Sequence, residues 1–263
     1  MRGREAPPRP PTSPGGRPGR AVLAVVAFLT RLPVDRRGWV EPVDVARGLV
    51  LFPVVGAAIG GVVAVIALTT SLALPASVAA AVAVGAELVV TGALHADGLA
   101  DTADGYGGAT RERALEIMRD HSIGAYGTAA MLVDLLLKTT LVAGLVSRPG
   151  GLWMLVAAGA ISRGAAAVLG ATVPYARADD GTGRVLVERV SFGWIVCAGA
   201  VAVGIAWAAG GVRGLIGAAV VTVAAGIWAW RCRRRLGGIT GDTLGAAVEG
   251  AEAIALFVGL AFR

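Results

Sequence analysis

The chain has 263 residues, 56% of them hydrophobic and only 16% charged, with 39 glycines besides and a formal net charge of +6. Soluble domains carry about 25% charged residues, so this balance excludes an ordinary soluble globule and equally a disordered or collagen-like chain. Each membrane crossing takes roughly 20 residues, and the sequence reads as an all-α, polytopic integral membrane protein of six to seven transmembrane helices.

Residues 1–20, MRGREAPPRPPTSPGGRPGR, are rich in Pro, Gly and Arg and read as a disordered tail ahead of one membrane-embedded domain at 21–263. The apolar run at 21–30 is too short to cross and reads as a re-entrant or interfacial segment. Apolar stretches of crossing length follow near 49–74, 75–94, 127–147, 152–173, 192–210, 212–230 and 243–262. Two cysteines, Cys197 and Cys232, show no Cys-x-x-Cys spacing and give no zinc or disulfide framework.

The polar segment between the second and third stretches holds His95-Ala-Asp97-Gly98-Leu-Ala-Asp101-Thr-Ala-Asp104-Gly105-Tyr106. On a helix, aspartates at i, i+4 and i+7 fall within about 60° of arc. Like charges so close repel one another, and a divalent cation makes the arrangement tolerable. Hard oxygen donors favour Mg²⁺, Mn²⁺ or Ca²⁺. Gly98 and Gly105 leave bare backbone beside the carboxylates, where a phosphate could approach. His95 adjoins them and reads equally as a proton-transfer group or an interfacial hydrogen-bonding residue; His121 carries no further signal. Arg111, Arg113 and Arg119 follow on weak helical periodicity, either as a charged outer face or as phosphate contacts suited to the guanidinium fork.

Further along, Asp134 and Lys138 read as an i, i+4 ion pair, and Arg163 lies inside an otherwise apolar stretch. An intramembrane arginine points to a polar cavity or a partner. Arg177 belongs to a polar segment that continues through Asp179, Asp180 and Gly183. The run Gly237-Gly-Ile-Thr240-Gly241-Asp242 precedes the last stretch and could form an anion-binding turn, with Asp242 alternatively a simple helix cap. Glu249 and Glu252, three residues apart within that stretch, are hard to explain as packing.

With the N-terminus placed inside, 19 of the 24 basic residues fall in inside segments and three outside. That matches the positive-inside rule, so the basic excess reads as orientation rather than as nucleic-acid binding. The segments 95–126, 177–183 and 237–242 then share the cytoplasmic face.

Taken together, the motifs FLTRLPV (28–34), FPVVGAAIG (52–60), HADGLADTADGYGG (95–108), RALEIMRDHSIGAYG (113–127), LLLK (135–138), SR (162–163), PYAR (174–177) and GGITGDTLGA (237–246) resemble the cobalamin synthase family, adenosylcobinamide-GDP ribazoletransferase. The chain departs from it at His121-Ser122, where a base usual in the family is missing. The resemblance implies an enzyme of the plasma membrane, a phosphotransferase acting on substituted phosphate groups. It would join adenosylcobinamide-GDP to α-ribazole or its 5′-phosphate, with Mg²⁺ as cofactor and GMP released, late in cobalamin biosynthesis. Metal ligands are then expected among Asp97, Asp101, Asp104 and Asp242. Asp104, Asp101, Arg163 and His95 are the expected catalytic groups, with Asp104 the first choice of base. Gly98, Gly105, Arg119, Arg177 and Gly241 are the expected phosphate-binding set. An oligomer, and association with other cobalamin-pathway enzymes, are compatible with this reading.

Two other readings compete. A CDP-alcohol phosphotransferase would show D-x-x-D-G-x-x-A-R, and here the glycine and aspartate order differs. An ion-coupled transporter could use Asp134, Lys138, Arg163, Glu249 and Glu252 as a pathway, but it has no need of the aspartate–glycine segment, and the halves show no duplication.

Overall fold

The computed structural model describes residues 18–35, 38, 40–120, 122–177 and 190–262. The tail expected at 1–20 lies outside them up to residue 17, as do His121, Asp179, Asp180 and Gly183. Pro18 to Arg20, assigned to that tail from sequence, instead open helix α1, Pro18–Leu29. A short α2, Pro42–Arg47, begins with Pro42 at its first turn and a reciprocal capping box between Glu41 and Asp44. A 3₁₀ turn, Leu49–Leu51, leads into α3, Phe52–Ser71. Ala24, Val25 and Leu29 of α1 pack with Val45, Leu49 and Phe52 in one small apolar cluster, so the short first segment docks against the bundle.

Helix α4, Ala76–Thr91, stops at Gly92, whose φ of 63° is left-handed, followed by Ala93 at φ 55°. These two residues turn the chain by 89° into α5, Leu94–Tyr106, the helix that carries the aspartates. Helix α6, Arg111–Ile117, starts where the Thr110 hydroxyl accepts from Arg113 N at 3.2 Å. Helices α7, Ala125–Val146, and α8, Trp153–Thr172, are both long and apolar enough to span.

Helix α9 runs Phe192–Leu236 with Gly211 at φ 58°, ψ −138°, outside helical space. Forty-five helical residues in line would reach about 68 Å, more than twice the hydrocarbon thickness. The chain doubles back instead. A Cβ at Gly214 would overlap the Ala206 carbonyl, and Gly199, Ala202 and Val203 face Ala218, Thr222 and Gly226 across one apolar groove. The halves 192–210 and 212–236 are therefore two antiparallel spans, as the sequence predicts. Helix α10, Gly241–Ala261, closes the fold behind a Thr240/Thr243 capping box.

Five helices are long and apolar enough to cross, six with the bent α4–α5 pair, and counting the halves of α9 separately gives seven. The protein is thus an all-α, polytopic membrane protein. Helix α8 sits at the centre, with 14 residues buried. Its contact with α3 is backbone to backbone: a Cβ at Gly56 would overlap the Gly159 carbonyl, and one at Gly159 the Gly56 carbonyl. Small residues of this kind are how apolar helices approach closely when lipid supplies no hydrophobic drive.

Candidate active site

A cavity of about 320 Å³ opens where α5, the 174–177 segment and the start of α10 meet, and it reaches inward to Arg163 in the middle of α8. Local structure explains the meeting. Gly98 brings α5 onto the first turn of α10, since a Cβ there would stand 2.8 Å from the Asp242 carbonyl oxygen. Ala176 N donates to Ile239 O at 2.7 Å and Ile239 N to Pro174 O at 2.8 Å, a parallel bridge that ties 174–177 to the turn before α10. Arg177 is thereby placed to donate to Asp242 Oδ2 at 2.7 Å.

Asp97, Gly98, His95, Arg163, Arg177, Gly241 and Asp242 all line this cavity, so seven of the expected residues do come together. Gly98 is there for helix packing as much as for access. Gly241 is open, with nothing within 4 Å of a built Cβ. The cap of α10 is Thr240, not Asp242, which leaves the Asp242 carboxylate to Arg177. Asp101 lies one helical turn beyond Asp97. It does not line the cavity.

Three expected residues are elsewhere. Asp104 turns away to the start of α7, accepting from Gly124 N at 2.7 Å and Gly127 N at 2.9 Å. It lines a separate shallow opening with Asp120 and Tyr126. The i, i+7 arc is thus split, because two backbone N–H groups at a helix N-terminus satisfy a carboxylate better than two neighbouring carboxylates do. Gly105 packs against α6, where a Cβ would meet Met118 and Ala114. Arg119 is exposed beyond α6 and does not line the cavity. Nearby, Arg111 donates to Leu236 O at 2.7 Å and Ala176 O at 2.9 Å, and Arg113 pairs with Glu116 at 2.8 Å, so both serve structure.

Below the cavity lies an ionic cluster inside the helix bundle. Lys138 reaches Glu249 at 2.8 Å, Glu87 at 3.0 Å and Glu252 at 3.7 Å, and Arg163 reaches Glu87 at 2.9 Å and also Glu252. The expected Asp134–Lys138 pair is absent among the described ion pairs. Lys138 reaches instead to α4 and α10, and Asp134 lies beside Glu249. Glu87 went unnoticed in the sequence, yet it is central. It is an acid within an apolar stretch, and that signal could have found it. Arg163 is wholly buried, its terminal nitrogens held by Glu87 and Glu252 and its Nε unpartnered. His95 Nδ1 is likewise buried and unpartnered.

A sequence model of the cobalamin-5-phosphate synthase family matches residues 21–260. The chain belongs to the cobalamin-5-phosphate synthase family. Relatives named adenosylcobinamide-GDP ribazoletransferase share 37% identity in Klebsiella pneumoniae subsp. pneumoniae, over 90% of this chain and 98% of that protein. The relatives of the same name from Escherichia coli K12 and Shigella boydii share 38% and 37%, each over 89% of this chain and 96% of theirs. No solved structure matches.

Among the described residues, no three His, Cys, Asp or Glu side chains converge to hold an ion. Asp97 and Asp242 nonetheless line one cavity and repel one another. Mg²⁺ characteristically binds through one or two carboxylates plus substrate phosphates, so two hard oxygen donors beside open space fit it.

Proposed function

We propose that this cobalamin-5-phosphate synthase family member is a membrane-embedded adenosylcobinamide-GDP ribazoletransferase with its site on the cytoplasmic face of the plasma membrane. The observation that carries the reading is the single cavity in which Asp97 of α5 meets Asp242 of α10 and Arg177. The 19-to-3 division of basic residues supports the orientation.

In the reaction, a ribose hydroxyl of α-ribazole, or of its phosphate, attacks the corrinoid-bearing phosphorus of the pyrophosphate. The new O–P bond forms as the bond from that phosphorus to the bridging oxygen breaks. GMP leaves with the bridging oxygen, and the hydroxyl proton passes to a base. Such transfers need positioning and neutralisation of oxyanion charge more than covalent help. Asp97 and Asp242 would hold Mg²⁺, which when bound neutralises pyrophosphate oxygens and the leaving phosphate. Arg177 orients the pyrophosphate while its tie to Asp242 fixes that carboxylate. Arg163, clamped by two glutamates, presents Nε–H to a phosphate oxygen without rotamer freedom to lose. The base is assigned to Asp101, one helical turn from Asp97 on α5 and not tied to α7 as Asp104 is. Asp104, the first choice from sequence, already spends both oxygens on α7.

The test is purified protein in detergent with adenosylcobinamide-GDP, α-ribazole and Mg²⁺. GMP release with a joined corrinoid product supports the reading, and Asp97→Asn should abolish it in a protein that still folds.

A further inference from the structure

The cavity mixes charged groups with apolar Leu94, Ala166, Leu244 and Val248, and one wall of it is apolar throughout. Asp97, Arg177 and Asp242 come from α5, the 174–177 segment and α10, whereas α1 and α3 contribute Phe28, Leu29 and Phe52 and no polar side chain. The Phe28 and Phe52 rings are 5.9 Å apart at 42°, and Leu29 and Phe52 are buried. Close tilted rings beside an aliphatic side chain offer a flat aromatic guest two ring contacts and no hydrogen-bond partner.

We infer that the α1–α3 wall, Phe28 with Leu29 and Phe52, is the seat of the ribazole base and sets the preference for an apolar one. The inference rests on the proposed reaction, whose substrates bring three flat groups. Guanine carries donors and acceptors along its edges, and on this wall they would lie buried and unpaired at a cost. The corrin macrocycle with its amide arms is too large for about 320 Å³, the lower end of the range for drug-sized ligands. The fused, weakly polar rings of the ribazole base fit in both size and polarity. With the base on this wall, the ribose points across the cavity to the carboxylates and arginines, and the corrinoid remains at the mouth. The short first segment thereby acquires a role: α1 is too short to cross and instead folds one aromatic wall onto a site built by α5 and α10.

The experiment measures KM for each substrate separately in Phe28→Leu and Phe52→Leu. Phe28 is only half-buried, so its variant keeps the fold if Phe52→Leu does not. The expected result is a rise of about tenfold or more in KM for α-ribazole, with KM for adenosylcobinamide-GDP unchanged. Preference over an analogue carrying adenine in place of the ribazole base should fall in parallel. A KM for α-ribazole unchanged from the unsubstituted protein in both variants, or a rise confined to the GDP substrate, overturns the assignment. Binding of α-ribazole alone, followed by calorimetry, separates the two claims. Binding weakened by Phe28→Leu in a protein that releases no GMP leaves the base seat standing and removes the reaction. GMP release with α-ribazole affinity untouched by the variant does the reverse.

Discussion

Arg163 gives the most quantitative test of the buried site. Replacing it by Met keeps the unbranched apolar stem and deletes the guanidinium that reaches Glu87 at 2.9 Å and also Glu252. All three side chains are buried. Removing one partner of a buried ion pair costs about 3–5 kcal/mol, because the other charge is stranded. Lys138 still stands 3.0 Å from Glu87 and 3.7 Å from Glu252, which places the loss at the lower end, about 3 kcal/mol. For a chain of this size that corresponds to roughly 6–12 °C in the unfolding midpoint. The assay is thermal unfolding in detergent of Arg163→Met and of the double variant Arg163→Met/Glu252→Gln. The second substitution removes one stranded carboxylate, so the double variant should regain about 1 kcal/mol or more. An unchanged midpoint in the single variant, or a double variant less stable than the single, refutes the reasoning.

Other outcomes follow from the same geometry. Asp101→Asn should cut GMP release by about a hundredfold or more if this carboxylate takes the hydroxyl proton, and near-normal turnover removes it from the proton transfer. Gly98→Val should cut turnover by about a hundredfold or more by lifting α5 off the Asp242 backbone, and wild-type rates would show that the close approach is dispensable. Chelation of divalent cations should abolish turnover and added Mg²⁺ restore it, whereas activity in excess chelator removes the metal from the account. Arg177→Ala should raise KM for the GDP substrate more than it lowers kcat; the opposite split would move Arg177 from binding to chemistry.

Much of the fold was legible because apolar length alone specifies a crossing. The stretches read at 152–173 and 243–262 became α8, Trp153–Thr172, and α10, Gly241–Ala261. The division of α9 at Gly211 was visible as two stretches too long in sum for one crossing. The right-angle turn into α5 was not, because it rests on left-handed Gly92 and Ala93, and alanine gives no sequence warning of that conformation. The site was legible in its residue types and less so in their directions. Asp97 and Asp242 share a cavity, but helical arc alone could not show that α7 would present N–H groups to Asp104. Lys138 illustrates the same limit. Its i, i+4 neighbour was the nearest acid in sequence, but a buried ammonium with three donors needs several acceptors, and Glu87 and Glu249 supply them from other helices.

The central claim is that the cavity between α5 and α10 joins a ribazole hydroxyl to a corrinoid phosphate. The most direct measurement is mass-resolved product analysis of purified protein incubated with adenosylcobinamide-GDP, α-ribazole and Mg²⁺. The account predicts one equivalent of GMP for each adenosylcobalamin formed, and neither product with Asp97→Asn or Asp242→Asn. GMP release without a joined corrinoid, or full activity in both variants, would contradict it.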